Sequence, residues 1–342
     1  MLLGWVLAPA AVAQPPQAED AAVKAAIQAA VSAGDTRRAY AAYDQAVAAK
    51  RRQDAALLGP IAAEELRAIA KYAKDDPRLQ AEALERLARH GDAQALSDLQ
   101  FMASSRPDTP VAALADGALA RLGDTAALSR LSAMASSSTL QDKSNVAEAI
   151  RRSGAKELAG VLVPLLQDPE WPTRIQAVQA LAELDYTAAI PEIRALLRDE
   201  EPRVRSNAAV ALRRLGDSGG DERSAAMARS SVASARLESL QADRSASRAD
   251  IAAAARQLAG DPDPFNRARA AEALASDDPA AALTILRRVA EEQDSTARRL
   301  AARGLESLRP SDVALLRRLM EDQNGWVRMH AAGGVLDAGL QR

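Results

Sequence analysis

Between residues 168 and 215 the apolar positions fall at helical spacing. Ile175, Val178, Leu181 and Leu184 line one face of a first helix, and Ile190, Ile193, Leu196 and Leu197 line a second. Pro172 and Pro191 stand near the two helix starts, where a missing backbone N–H costs nothing. Asp185 and the residues after it interrupt the stripe and predict the turn. Neither helix can bury its stripe alone, whereas stacking one pair on the next buries both. The pattern then repeats. Asp168 with Arg174 precedes Ala177-Val178-Gln179-Ala180-Leu181, and 31 residues later Asp199 with Arg205 precedes Ala208-Ala209-Val210-Ala211-Leu212. The pairing returns at Asp261 with Arg267 and at Asp322 with Arg328. A repeat of this length predicts an all-α chain, an α-solenoid of stacked antiparallel helix pairs.

The paired charges have a place in that architecture. Each Asp falls in the loop before a first helix, where its carboxylate can accept from free backbone N–H groups. Each Arg falls about one turn into that helix. Asp168, Asp199, Asp261 and Asp322, with Arg174, Arg205, Arg267 and Arg328, therefore predict a structural ladder between successive repeats. A charged binding strip is the competing reading.

These units resemble HEAT repeats, in particular the HEAT-like variety of the phycobiliprotein lyases. The residues that carry the resemblance are Asp199, Pro202, Val204, Arg205, Ala208, Ala209, Ala211, Leu212, Leu215, Gly216 and Asp217. It is specific over 168–217, good at 261–276 and 322–336, fair at 75–138, and poor at 139–167 and 221–247. The resemblance implies an α-solenoid and a binding or scaffolding role, and it transfers no enzymatic activity.

The rest of the chain is read around these units. Residues 1–13 are apolar and end in Ala11-Val12-Ala13, a small-x-small pattern that predicts a secretory signal peptide cut after Ala13 and a periplasmic or secreted protein. No basic residue precedes the apolar run, so a retained apolar tail is the alternative. Residues 14–20 are expected to be a flexible, non-helical spacer. Residues 21–74 are expected to form a helical N-terminal cap, loosely tetratricopeptide-like, in which Tyr40, Tyr43 and Tyr72 either pack helices or form a stacking patch. Repeats fill 75–217, where Ala83-Leu84 and Ala118-Leu119 open the same Ala-Leu-x-Arg-Leu phrase. Ser218-Gly219-Gly220 opens a degenerate or elongated repeat over 218–250, and repeats with a C-terminal cap close the chain over 251–342.

Composition narrows the chemistry. Aromatic residues make up only 3% of the chain, so Ala and Leu carry the core and helices can approach closely. Lys and Arg total 44 against 46 Asp and Glu, a balance that argues against a dedicated nucleic-acid binder. With no Cys there is no disulfide, thiolate or cysteine metal site. The two histidines, His90 and His330, are not followed by Glu, unlike the His-Glu pairs of HEAT-type metal hydroxylases. No metal, cofactor or catalytic residue is expected, and no apolar run after the start reaches membrane-span length.

A binding surface is the remaining candidate. Arg194, Arg256, Arg287 and Arg317 hold one place in the pattern of the second helices, with Arg288 and Arg318 beside two of them. In solenoids of this kind the second helices line the concave face, so these residues would form an exposed basic column suited to carboxylates or phosphates. Trp171 and Trp326, each just before a repeat Arg, are further candidates. A Trp beside an Asp also echoes HEAT-like DNA glycosylases, although an exported protein has no DNA to repair. The expectation is a non-catalytic scaffold or adaptor that binds another protein. The alternatives are a HEAT-like enzyme of the bilin-lyase or glycosylase type, and a binder of an anionic peptide or polymer.

Overall fold

The computed structural model describes residues 16–50, 54–105, 107, 109–137, 143–217, 237, 240–241, 246–308 and 312–339. The expected export segment and most of the 218–250 stretch lie outside the described residues. Three helices open the chain, α1 (Pro16–Ser32), α2 (Thr36–Lys50) and α3 (Ala55–Tyr72). Pairs follow: α4 (Pro77–Arg89) with α5 (Ala93–Ser105), α6 (Pro110–Arg121) with α7 (Thr125–Ser136), α8 (Ser144–Ser153) with a 3-10 segment (Lys156–Gln167), and α9 (Trp171–Glu183) with the short α10 (Ile190–Ala195). After α11 (Pro202–Arg214) come α12 (Arg248–Leu258), α13 (Pro264–Leu274), α14 (Pro279–Val289), α15 (Ser295–Ser307), α16 (Val313–Leu319) and α17 (Gly325–Gly339).

Local chemistry sets these boundaries. Asp54, Asp76, Asp124, Asp278 and Asp312 each cap a helix with a side-chain oxygen, as when Asp76 accepts from the Leu79 N–H at 3.0 Å. Gly216 ends α11 in the left-handed region at φ 80°, and 31 residues earlier Asp185 ends α9 in the same way at φ 58°. A short polar side chain is among the few that tolerate this conformation, which is why the repeat keeps its turn there without a glycine. Helix α1 begins at Pro16, inside the stretch expected to be a non-helical spacer; proline is well suited to a first helical turn.

The chain is an α-solenoid, but its order in space differs from its order in sequence. Helix α17 packs between α15 and α3 and also touches α4. From α4 the stack of first helices continues through α6, α8, α9 and α11. Helices α11 and α12 make no comparable packing contact, although they are neighbours in the described sequence. Two cores result. One joins Ile27–Ala127 to Leu237–Val335, and the other holds Ala113–Leu215. The expected N-terminal and C-terminal caps are therefore corrected: α3 and α17 are interior elements that form a seam between the chain's two ends. Each presents apolar surface on two sides, and mutual burial of a Leu or Ile side chain contributes about 1.5–3 kcal/mol.

Candidate functional site

The repeat arginines share one geometry. Arg174 folds back so that Nη1 donates to the Asp168 and Pro169 carbonyls at 2.9 and 3.1 Å, while Nε and Nη2 donate to the Asp199 carboxylate of the next repeat at 2.9 and 2.8 Å. Arg328 holds the Asp322 and Gln323 carbonyls in the same way and reaches Glu65 on α3 at 2.5 Å. Arg267 holds the Asp261 and Pro262 carbonyls and pairs with Glu292. Arg205 holds the Asp199 and Glu200 carbonyls. Each ladder Asp also accepts from a backbone N–H two residues on: Glu170, Glu201, Asp263 and Asn324 respectively. One member escapes the Asp-to-Arg spacing. Arg298 binds the Glu292 and Gln293 carbonyls and the Asp322 carboxylate, at 2.6 Å from Nε. Glu292 stands 31 residues after Asp261, so a ruler that accepted either acid would have found it. Burial alone would raise the Asp199 carboxyl, but Arg174 and the Glu201 N–H hold it below the usual range.

The second-helix arginines form another ladder. Arg194 pairs with Asp217, Arg256 with Asp278 at 3.5 Å and Arg287 with Asp312 at 2.8 Å. Asp278 and Asp312 are themselves N-caps of the following second helices. These three arginines remain more than half exposed, yet each already faces a carboxylate. Arg288 is exposed, and Arg318 lies 3.9 Å from Glu291. Arg317 corrects the expectation of an exposed column. It is 9% exposed, paired with Asp44 at 3.0 Å and Glu321 at 2.8 Å, with its guanidinium 3.8 Å above the Tyr40 ring. The cause is α2, which supplies Tyr40 and Asp44 against α16. Tyr43 is buried with its hydroxyl accepting from the Asp54 N–H at 3.2 Å, whereas Tyr72 is exposed.

The two tryptophans are not brought together. Trp171 begins α9, and the Arg203 guanidinium lies 5.3 Å from its ring. Trp326 belongs to the seam, where its Nε1 donates to Asp76 at 2.8 Å and the Arg78 and Arg299 guanidinium groups lie 5.9 and 5.7 Å from its ring. Among the described residues no three His, Asp or Glu side chains gather as a metal-binding group, and no helix is long and apolar enough to cross a membrane.

At the centre of the seam lies a buried charge network. Arg86 donates from Nε and Nη2 to the two oxygens of Glu306, both at 2.9 Å. His330 Nδ1 lies 2.9 Å from Glu306 and 3.1 Å from Arg86 Nη2. A neutral ring with its proton on Nδ1 donates to Glu306 and leaves Arg86 as a charged neighbour. Burial, then Arg86, push the imidazole below its ordinary value against the pull of Glu306. Glu82 binds Arg152 at 2.6 Å. Burial opposes ionisation of Glu82 and Glu306, but Arg152 beside the first and Arg86 beside the second bring both carboxyls down to about 2. Gly333 makes the contact possible: a Cβ there would fall 2.6 Å from Arg86 Nε and 2.8 Å from Glu306 Oε1. His90 closes the edge, with Nε2 at 3.0 Å from Asp337.

Two concavities flank this seam. A polar cleft of about 410 Å³ opens between α4 and α8 on one side and α15 and α17 on the other. Its walls are first helices, not the second helices expected to carry a binding face. An apolar groove of about 710 Å³ lies between α3 and α5 over α4, floored by Leu84, Leu87, Ala95 and Met102. Arg67 on α3 bridges one end to Asp92 at the start of α5, at 3.0 Å. Phe101, 73% exposed, stands at the rim. Sequence reasoning passed over it, although a signal existed: Leu99, Met102 and Ala103 point inward, so Phe101 lies off the apolar stripe.

The family model for HEAT repeats matches residues 159–242. No curated protein matches the sequence. Among solved structures the chain is similar to human deoxyhypusine hydroxylase in complex with glycerol, at 19% identity over 72% of this chain and 97% of that one, with a TM-score of 0.43. It is also similar to the complex of CpcE and CpcF of phycocyanin lyase from Nostoc sp. PCC7120, at 17% identity over 70% of this chain and 92% of that one, with a TM-score of 0.41. An engineered protein matches at 18% identity over 94% of each chain, with a TM-score of 0.34.

Proposed function

We propose, from the premise that this chain is a HEAT-like repeat protein, that it is a non-catalytic scaffold, periplasmic or secreted, that holds another protein through the groove between α3 and α5. The observation that carries this reading is Phe101, an aromatic side chain 73% exposed at the rim of a large apolar depression. Exposed aromatics beside apolar pockets are the side chains that dominate protein interfaces. Arg67 and Asp92 pair with each other across one end, while Lys71 on α3, Lys74 just after it and Asp98 on α5 leave both signs on the rim to orient a partner. The column of Arg194, Arg256 and Arg287 is a weaker candidate for an anionic polymer, because an Asp already neutralises each member.

Site-specific photocrosslinking tests the reading. A photoreactive residue at position 101 should give one dominant adduct from envelope extract of the native host. Excess wild-type protein should compete it away, and excess Phe101→Asp protein should not. Equal adducts from positions 101 and 288 would remove the groove as the docking site. The export part is checked by N-terminal sequencing of the native protein, which should begin at or near Gln14.

A further inference from the structure

We infer that the seam cleft is a binding site for a small organic anion, a molecule bearing phosphate or several carboxylates, which it clamps between the two ends of the chain. The inference is independent of the α3–α5 groove. Six arginines line the cleft (Arg78, Arg86, Arg151, Arg152, Arg299 and Arg303) against three glutamates, Glu82, Glu148 and Glu306. Two carboxylates outside the lining also take a share: Glu183 lies 2.9 Å from Arg151, and Glu272 lies 3.4 Å from Arg303 with both side chains more than half exposed. Positive charge still exceeds negative when both are counted. His330 does not alter the balance, because its environment favours the neutral ring.

Among the described residues, donors without a hydrogen-bond partner stand on both walls of the cleft. On the α4 and α8 wall, Arg152 gives Nη1 to Glu82, and its Nε and Nη2 make no hydrogen bond among the described residues. On the α15 wall, Arg299 has no carboxylate within ion-pair distance among the described residues, and its guanidinium is held 5.7 Å from the Trp326 ring. Trp326 is fixed in turn by its hydrogen bond to Asp76, and it holds Arg78 on the opposite wall at 5.9 Å. An unpaired guanidinium oriented by an aromatic ring, facing others across a cleft, matches the fork geometry with which Arg binds carboxylate and phosphate. A cleft of about 410 Å³ falls in the range of small-molecule sites. Because the walls come from the two ends of the chain, an anion bridging them should also stabilise the seam.

Calorimetric titration with pyrophosphate and with citrate, against chloride at matched ionic strength, separates the phosphate and carboxylate sources. The expected result is saturable one-to-one binding of at least one probe, with a rise in melting temperature. Arg152→Gln with Arg299→Gln should weaken that binding by more than about tenfold, the loss expected when charge-assisted hydrogen bonds to the anion are removed. Arg256→Gln with Arg287→Gln, which removes equal charge on the second helices, should leave it unchanged. If the first pair unfolds the protein, Arg299→Gln alone serves, since that side chain breaks no ion pair on substitution. Heats no larger than those of chloride, or equal weakening in the two paired variants, would overturn the inference.

Discussion

The interface between α9 and α11 and the seam between α17 and α4 do the same job with different materials. Between α9 and α11 the core is Ala and Leu, and the tie across the repeat is a single pair between a helix and the next loop, where Arg174 meets Asp199. At the seam the tie is a network, where Arg86, Glu306 and His330 meet and Glu82 joins from the side, screened from solvent to a similar degree. The repeat tie is modular, since Arg174, Arg267 and Arg298 each reach an acid of the following repeat in the same way. The seam tie is singular, because its partners come from three helices, α4, α15 and α17, with Arg86 and Glu306 220 residues apart in sequence. Buried ion pairs need not add stability over an apolar core, but breaking one leaves a charge without a partner. The seam is therefore specific about which helices meet and sensitive to loss of either partner.

Acid should separate the two regions most strongly. The folded His330 lies below its ordinary value of 6.5, so the unfolded chain binds the proton more readily. Stability is then complete above pH 6.5 and declines as pH falls below it. The Glu82 and Glu306 carboxyls, brought from 4.5 to about 2, add a second decline from pH 4.5 downward. Hydrogen exchange should show α17 losing protection before α11 as pH falls through the first window. Equal protection loss in the two helices would break the comparison.

Substitution should rank the ties next. Arg86→Ala leaves Glu306 and Glu82 buried with fewer partners and should cost about 3–5 kcal/mol in denaturant unfolding. Gly333→Ala places a methyl group against Arg86 and Glu306 and should cost about 1–3 kcal/mol, the usual scale of overpacking. A neutral result at Gly333 would mean that α17 and α4 can separate without loss. In the regular region, Arg174→Ala removes both carbonyl contacts and the Asp199 pair and should cost about 1–3 kcal/mol. Arg205→Ala, whose contacts are the carbonyls of its own loop, should cost less than Arg174→Ala when the two are unfolded side by side. Arg288→Ala, exposed on α14, should change stability by less than about 0.5 kcal/mol.

The sequence by itself determined the repeat. Apolar residues at helical spacing, an Asp before each first helix and an Arg one turn into it are local signals, and local signals need no knowledge of the distant chain. They placed the helices of 168–215 and, of the expected ladder, the Arg174–Asp199 tie between two repeats, while Arg267 and Arg328 reach Glu292 and Glu65 instead of an Asp. The same reasoning missed Arg298, because a Glu stands where its Asp was sought. It expected Arg317 at the surface, because nothing near that residue announces that Tyr40 and Asp44 will cover it. Only the tertiary structure decided that α17 lies against α3, that Gly333 makes room for Arg86, and that a cleft and a groove open on either side of α4. The seam contacts join residues more than 200 positions apart, where neither periodicity nor capping carries information. What decides them is which unfilled apolar face and which buried charge can satisfy each other once the helices have formed.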